Sequence, residues 1–366
     1  MNACRKIRSR LFSCLLVAAG FPGTAASAQD FLLAAGSSGG GFSPASSQVS
    51  LSLGTFDIVI NPGSGLSSNT AALAAFNRAA QQWEAYISDS ITVTIAADLG
   101  GLGSGIIGST SSVILQGGYN TIRNQVVADA SNESGGLVAS FLPTAAQFSA
   151  TLLPGSTLTG SLSGTKANLK ALGFSGLDAS FGTTDATITF SNTFAFDFDN
   201  SDGVGAGLLD FETVVAHELG HALGFFSAVD SADGGATSIT PTVLDLFRFQ
   251  NGTALDPTTT SEFTLYARDL TPGHAAIFDD LSNEYPMSTG LTQGDGRQAS
   301  HWKDDGLAGG NIGIMDPTLA TGVFFNVGLA DLRALDLIGY EIVLEVSAFV
   351  MAVLSGAIFV SRRVRV

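Results

Sequence analysis

Apolar and polar positions follow two periods along this chain, and the switches between them mark its elements. At 56–60, Phe-Asp-Ile-Val-Ile reads as a strand, halted by Asn61, Pro62 and Gly63. Over 69–87, Leu73, Phe76, Ala80, Trp83 and Ile87 recur at helical spacing and predict an amphipathic helix. Ile91-Thr92-Val93-Thr94-Ile95 alternates with period two, as a half-buried strand does. A further strand is expected at 112–115, helices at 119–130 and 166–172, and sheet segments or a hairpin at 186–190 and 193–198. Next comes a helix that Asp210 can cap and Gly224 can stop, with Leu209, Val214, Val215 and Leu219 supplying apolar surface. After Gly224 turns dominate, until a last helix over 329–338 ends at Gly339 and Tyr340. This order predicts an α+β fold. A mixed sheet with helices fills 51–224, and an irregular second half at 225–340 ends in a helix.

The two ends read differently. Arg5, Lys6, Arg8 and Arg10 precede a short apolar core at 11–21 and the small-residue stretch Ala26-Ser27-Ala28, the plan of a secretory signal over 1–28. The alternative, a membrane anchor, needs a longer apolar run. Residues 29–50 are rich in Gly and Ser and read as a flexible leader. At 341–366 an apolar run, 346–360, is followed by Arg362, Arg363 and Arg365. That order resembles bacterial C-terminal sorting tails that are cut during surface delivery, although the Pro-Glu-Pro signature of one such class is absent. A final core element with a charged end is the alternative. Export to the cell surface, with sorting or processing machinery as a partner for the tail, is the expectation.

Composition narrows the function. The chain is 366 residues long and 45% hydrophobic, with only 13% charged residues, which suits a large packed core rather than a disordered chain. Both cysteines, Cys4 and Cys14, lie in the expected signal, so the exported part would have no disulfide. Without the seven basic residues at the two ends, nine of the 16 remain against 32 acidic ones, a net charge near −23. Such a charge argues against nucleic acid or an anionic membrane as a partner. Nothing in the pattern sets an oligomeric state.

The chemistry concentrates in His217-Glu218-Leu219-Gly220-His221. Residues four apart share one face of a helix, so His217 and His221 can reach one metal ion as neutral imidazoles. Glu218 can then take a proton from an attacking water as general base. A core helix with two incidental histidines is the bland reading, set against the presence of only four histidines in the chain. A catalytic zinc needs a third protein ligand. His301, His274 and Asp230 are the candidates.

The motif resembles that of the metzincin metalloproteases, His-Glu-x-x-His-x-x-Gly-x-x-His, through Gly224. It then departs, because Ser227 stands where the third histidine is expected. Leishmanolysin-like metzincins supply that histidine much later. Here His301-Trp302 follows His221 by 80 residues, and Ile314-Met315-Asp316-Pro317 places a methionine 14 residues beyond His301. The resemblance implies that His301 is the third zinc ligand, that Met315 forms the methionine turn beneath the metal, and that Asp331 to Tyr340 is the family's last helix. It covers roughly 210–340. Without a cysteine in the exported part, a cysteine-switch propeptide is excluded.

A second cofactor is suggested by Asp197-Phe198-Asp199-Asn200-Ser201-Asp202-Gly203, where Asp197, Asp199 and Asp202 offer hard oxygens suited to calcium. The loop is no EF-hand, and a solvated turn is the bland reading. The leading expectation is a zinc metalloendopeptidase acting on protein or peptide laid against an edge strand near 185–198. A non-catalytic surface or matrix protein with a protease-like fold, and a zinc hydrolase of a non-peptide bond, are the alternatives.

Overall fold

The structure is a computed structural model that describes residues 11–18, 56–131 and 136–343, the first stretch as backbone alone. The rest of the expected signal, the leader and nearly all of the expected tail lie outside the described residues. No helix among the described residues is long and apolar enough to cross a membrane.

The architecture is α+β. Strands β1 (Leu11–Ala18), β2 (Asp57–Pro62), β3 (Thr92–Gly100) and β4 (Ile106–Gly118) join Ala186–Ser191 and the short Thr318–Leu319 in one mixed sheet. Its order is Thr318–Leu319, β1, β4, Ala186–Ser191, β3, β2, with Ser161–Thr165 also paired to β4. β2, β3 and Ala186–Ser191 run parallel, while β4 runs antiparallel to the last of these. The strand expected at 112–115 is therefore part of a longer one, Ile106–Gly118. Its Ser109, Thr110, Ser111 and Ser112 hide it from an apolar count.

Two expectations change. Ala186–Ser191 is interior, with its backbone groups used by β3 on one side and β4 on the other. It offers no edge for a substrate, and β4 is paired on both sides as well, with Ala186–Ser191 at 108–112 and with β1 at 106–113. Nor is there a hairpin at 193–198. Phe196–Asp197 pairs, in parallel, with Leu209–Asp210. The Asp197 carboxylate accepts from the amides of Asp199 and Gly205 and turns the chain there.

Helix Thr70–Glu84 starts where Asn69 Oδ1 accepts from Ala72 N at 3.1 Å. Its buried face is Ala72, Ala75, Phe76, Ala79, Ala80 and Trp83, the i, i+3, i+4, i+7 stripe of an amphipathic helix. That face packs on helix Phe211–Leu223, and Trp83 Nε1 donates to Ala216 O at 3.0 Å. The Arg78–Glu212 ion pair at 2.8 Å and the Gln82 Nε2 to Glu212 Oε1 bond at 2.9 Å lie between the same two helices. Each large apolar side chain buried this way contributes roughly 1.5–3 kcal/mol.

Beyond Gly224, which ends the second helix at φ 125°, the elements are short. Arg248–Gln250, Ala276–Asp279 and Glu284–Met287 make a small antiparallel sheet, and Leu329–Leu337 is the last helix. The halves do not have separate cores. One apolar cluster runs from Phe56 to Tyr340, and Trp302 packs edge-on against Phe225, with ring centroids 4.7 Å apart, and against Phe278 at 5.8 Å.

Candidate metal centre

The ligand helix is built as its sequence demands. Asp210 caps it, its carboxylate accepting from Thr213 N at 2.7 Å and Thr213 Oγ1 at 2.6 Å, and every residue from Phe211 to Leu223 is buried. His217 and His221 project from one face, and His301 meets them from the second half.

The three Nε2 atoms converge. They stand 3.1 Å apart between His217 and His221, and 3.2 Å from each of these to His301. Ligands about 2.0–2.1 Å from a tetrahedral metal lie about 3.3–3.4 Å from one another, so the triangle has the size of a metal site. The tautomers agree. Nδ1 of His217 lies 2.8 Å from Ile314 O, that of His221 2.7 Å from Phe225 O, and that of His301 3.1 Å from Gln298 O. A carbonyl only accepts, so each Nδ1 carries the proton and each Nε2 presents a lone pair. Three lone pairs aimed at one buried point repel one another unless a cation lies between them. The donor set therefore fits a divalent metal ion; imidazole suits zinc, copper, iron and nickel alike. Among the described residues this is the sole group of three or more His, Cys, Asp or Glu so gathered.

Burial keeps the imidazoles neutral, the form that binds metal. The His217 pKa is lowered from 6.5 to about 4 by desolvation. Those of His221 and His301 fall well below 6.5 by the same cause, reinforced by neighbouring histidines. The consequence for the metal-free protein has a definite sign. Above pH 6.5 these groups are neutral in both states and cost nothing. Between 6.5 and about 4 the unfolded chain takes up protons that the folded chain refuses, so stability falls. His217 alone accounts for about 3 kcal/mol of that loss. The thermal midpoint of metal-stripped protein, followed from pH 7 to 4, should drop less steeply in His217→Gln than in wild type; parallel curves would refute the assignment.

The competing third ligands lie elsewhere. The His274 imidazole is 42% exposed and sits 3.2 Å from Asp269 Oδ1. Asp230 is buried but occupied: it accepts from Ala299 N at 2.6 Å, Ser300 N at 3.0 Å and the Ser300 hydroxyl. Ser300 Oγ in turn accepts from Ser227 N at 2.9 Å, and Ser227 Oγ donates to Asp245 Oδ1 at 2.6 Å. Ser227 and Asp230 thus secure the loop that delivers His301 instead of binding metal.

Met315 lies beneath the ligand helix. A Cβ on Gly220 would fall 2.3 Å from its Sδ, so the glycine inside the histidine motif is what admits the methionine. The turn is held by Asp331, which nothing in the sequence marks beyond an acidic residue in the first turn of a helix. Its carboxylate accepts from Ile314 N at 2.7 Å, Gly328 N and Trp302 Nε1 at 2.8 Å each, and Met315 N at 3.3 Å. Ile314 O is the acceptor that orients His217. Asp331→Ala would leave these buried donors unsatisfied and should cost about 3–5 kcal/mol, read as a lowered denaturation midpoint; a loss under about 1 kcal/mol would contradict this role.

The three carboxylates at 197–203 do not gather on one point. Asp197 is taken by the Asp199 and Gly205 amides, and Asp199 Oδ1 accepts from Ser201 N at 3.3 Å. Both side chains thus brace the loop's own backbone, and this arrangement adds nothing to the expectation of calcium at Asp197, Asp199 and Asp202.

No family model, curated protein or solved structure matches this chain.

Proposed function

We propose that the chain is an exported zinc-dependent endopeptidase of the leishmanolysin-like metzincin type, with His217, His221 and His301 as ligands and Glu218 as general base. The observation that carries this reading is the meeting of three inward lone pairs and a buried carboxylate beside residues 106–113 of β4, whose outer side pairs with β1 and would be freed as an edge by removal of the signal at 1–28. A bound zinc ion would polarise the scissile carbonyl and acidify water in the site. Glu218 takes the proton from the attacking water and returns it to the leaving amine. Peptide suits the edge because an extended backbone can hydrogen-bond along it. The chain's own β1 illustrates the fit: it runs antiparallel to β4, Cys14 opposite Thr110 and Leu16 opposite Gly108, with Thr318–Leu319 parallel on its other side. A non-peptide substrate would have no use for such a two-sided slot. A non-catalytic surface protein would have no use for Glu218.

Export by the signal at 1–28 and surface delivery by the tail at 341–366, with the sorting machinery as partner, belong to the same proposal. Metal analysis of the secreted protein, combined with casein digestion before and after chelation, tests it. One zinc per chain and hydrolysis that chelation abolishes and zinc restores are expected. Absence of bound zinc, or no cleavage of any peptide by the zinc-loaded protein, would overturn it.

A further inference from the structure

Side chains alternate across a strand, so Gly108, Thr110 and Ser112 of β4 share the face turned to the ligand helix. Ser112 Oγ donates to His221 O at 3.3 Å. Thr110 Oγ1 lies 2.9 Å from Glu218 O and 2.6 Å from Glu218 Oε2. A hydroxyl has one proton to give. The carboxylate contact has the length of a charge-assisted O–H···O⁻ bond, the stronger of the two. Thr110 is 1% exposed, so solvent does not compete for it. Gly108 completes the seat: a Cβ there would stand 2.5 Å from Glu218 Oε1, so only glycine lets the carboxylate lie flat against the strand.

We propose that Thr110 is a positioning residue for Glu218. The last torsion of a glutamate is broad, and an unheld carboxylate swings. Fixing Oε2 to Thr110 fixes the carboxylate plane, and with it the direction in which the other oxygen meets the attacking water. A base misplaced by an ångström loses much of its rate. The inference rests on the reading of Glu218 as the base, and it assigns a role in that reaction to the serine- and threonine-rich strand.

The test compares Thr110→Val, which keeps the shape and removes the hydroxyl, with Thr110→Ser, which keeps the hydroxyl. In the secreted, zinc-loaded protein, Thr110→Val should lower kcat about tenfold to a hundredfold, the range for one lost hydrogen bond to a charged group, with KM and zinc content unchanged. Thr110→Ser should recover most of that rate. A second readout needs no turnover: the fall in thermal midpoint caused by Thr110→Val should be smaller in a Glu218→Ala background than in wild type, since the contact is then already absent. Three results would each overturn the proposal: wild-type kcat in Thr110→Val, a serine variant as slow as the valine one, or equal falls in both backgrounds. If the wild-type protein cleaves no peptide, the endopeptidase reading fails by itself, and the thermal comparison still decides whether Thr110 holds Glu218.

Discussion

His301→Ala should cut metal affinity steeply and abolish hydrolysis while leaving the fold intact. Two histidines on one helix hold a catalytic zinc with too few protein ligands. The third Nε2 comes from residue 301, 3.2 Å from each of the other two. The loss should exceed the ~10–100-fold that follows removal of a group merely orienting a ligand. That figure fits Asp230→Ala, which would loosen the Ala299–Ser300 backbone ahead of the ligand. His274→Ala should change neither affinity nor activity, because that imidazole is partly exposed and sits against Asp269, away from the other three histidines. The measurement is metal content and dissociation constant by competition with a chelator, alongside peptide cleavage. Wild-type zinc affinity in His301→Ala would remove it from the site. Loss of zinc in His274→Ala would point to the wrong histidine.

Glu218→Gln should keep the metal and lose the reaction. The amide fills the same volume against Gly108 and Thr110, and all three imidazoles and their carbonyl partners remain. It cannot take a proton from water. General-base catalysis contributes about 10²–10⁴-fold, so kcat should fall by that factor with KM little altered. Equal zinc content in wild type and variant separates this outcome from damage to the site. A variant that holds zinc and turns over at near the wild-type rate would show that the proton goes elsewhere, and the mechanism above would have to be abandoned.

Much of this protein is written locally. The strand at Asp57–Pro62, the helices at Thr70–Glu84, Tyr119–Ala130 and Lys166–Ala171, and the last helix at Leu329–Leu337 lie close to where apolar spacing and turn residues place them. The ligand helix is the clearest case. Asp210 caps it, Gly224 ends it, and a separation of four residues puts His217 and His221 on one face. These features depend on residues within a turn or two of one another, and the sequence determines them by itself.

Only the tertiary structure decided the rest. Residue types alone leave His301, His274 and Asp230 open as third ligands, and resemblance favours the first; folding turns His301 inward, leaves His274 at the surface and commits Asp230 to Ala299 and Ser300. Ala186–Ser191 proved to be interior, between β3 and β4, because pairing order is a property of the whole sheet. Asp331 beside Met315 and Thr110 beside Glu218 bond to partners as distant as 29 and 108 residues away. In the acidic loop at 197–203, Asp197 and Asp199 accept from amides of the loop itself, a use that residue type alone does not show. In each case the residue type was visible and its partner was not. A hydrogen bond or a metal site is fixed by which groups share a few ångströms of space, and long-range packing alone sets that proximity.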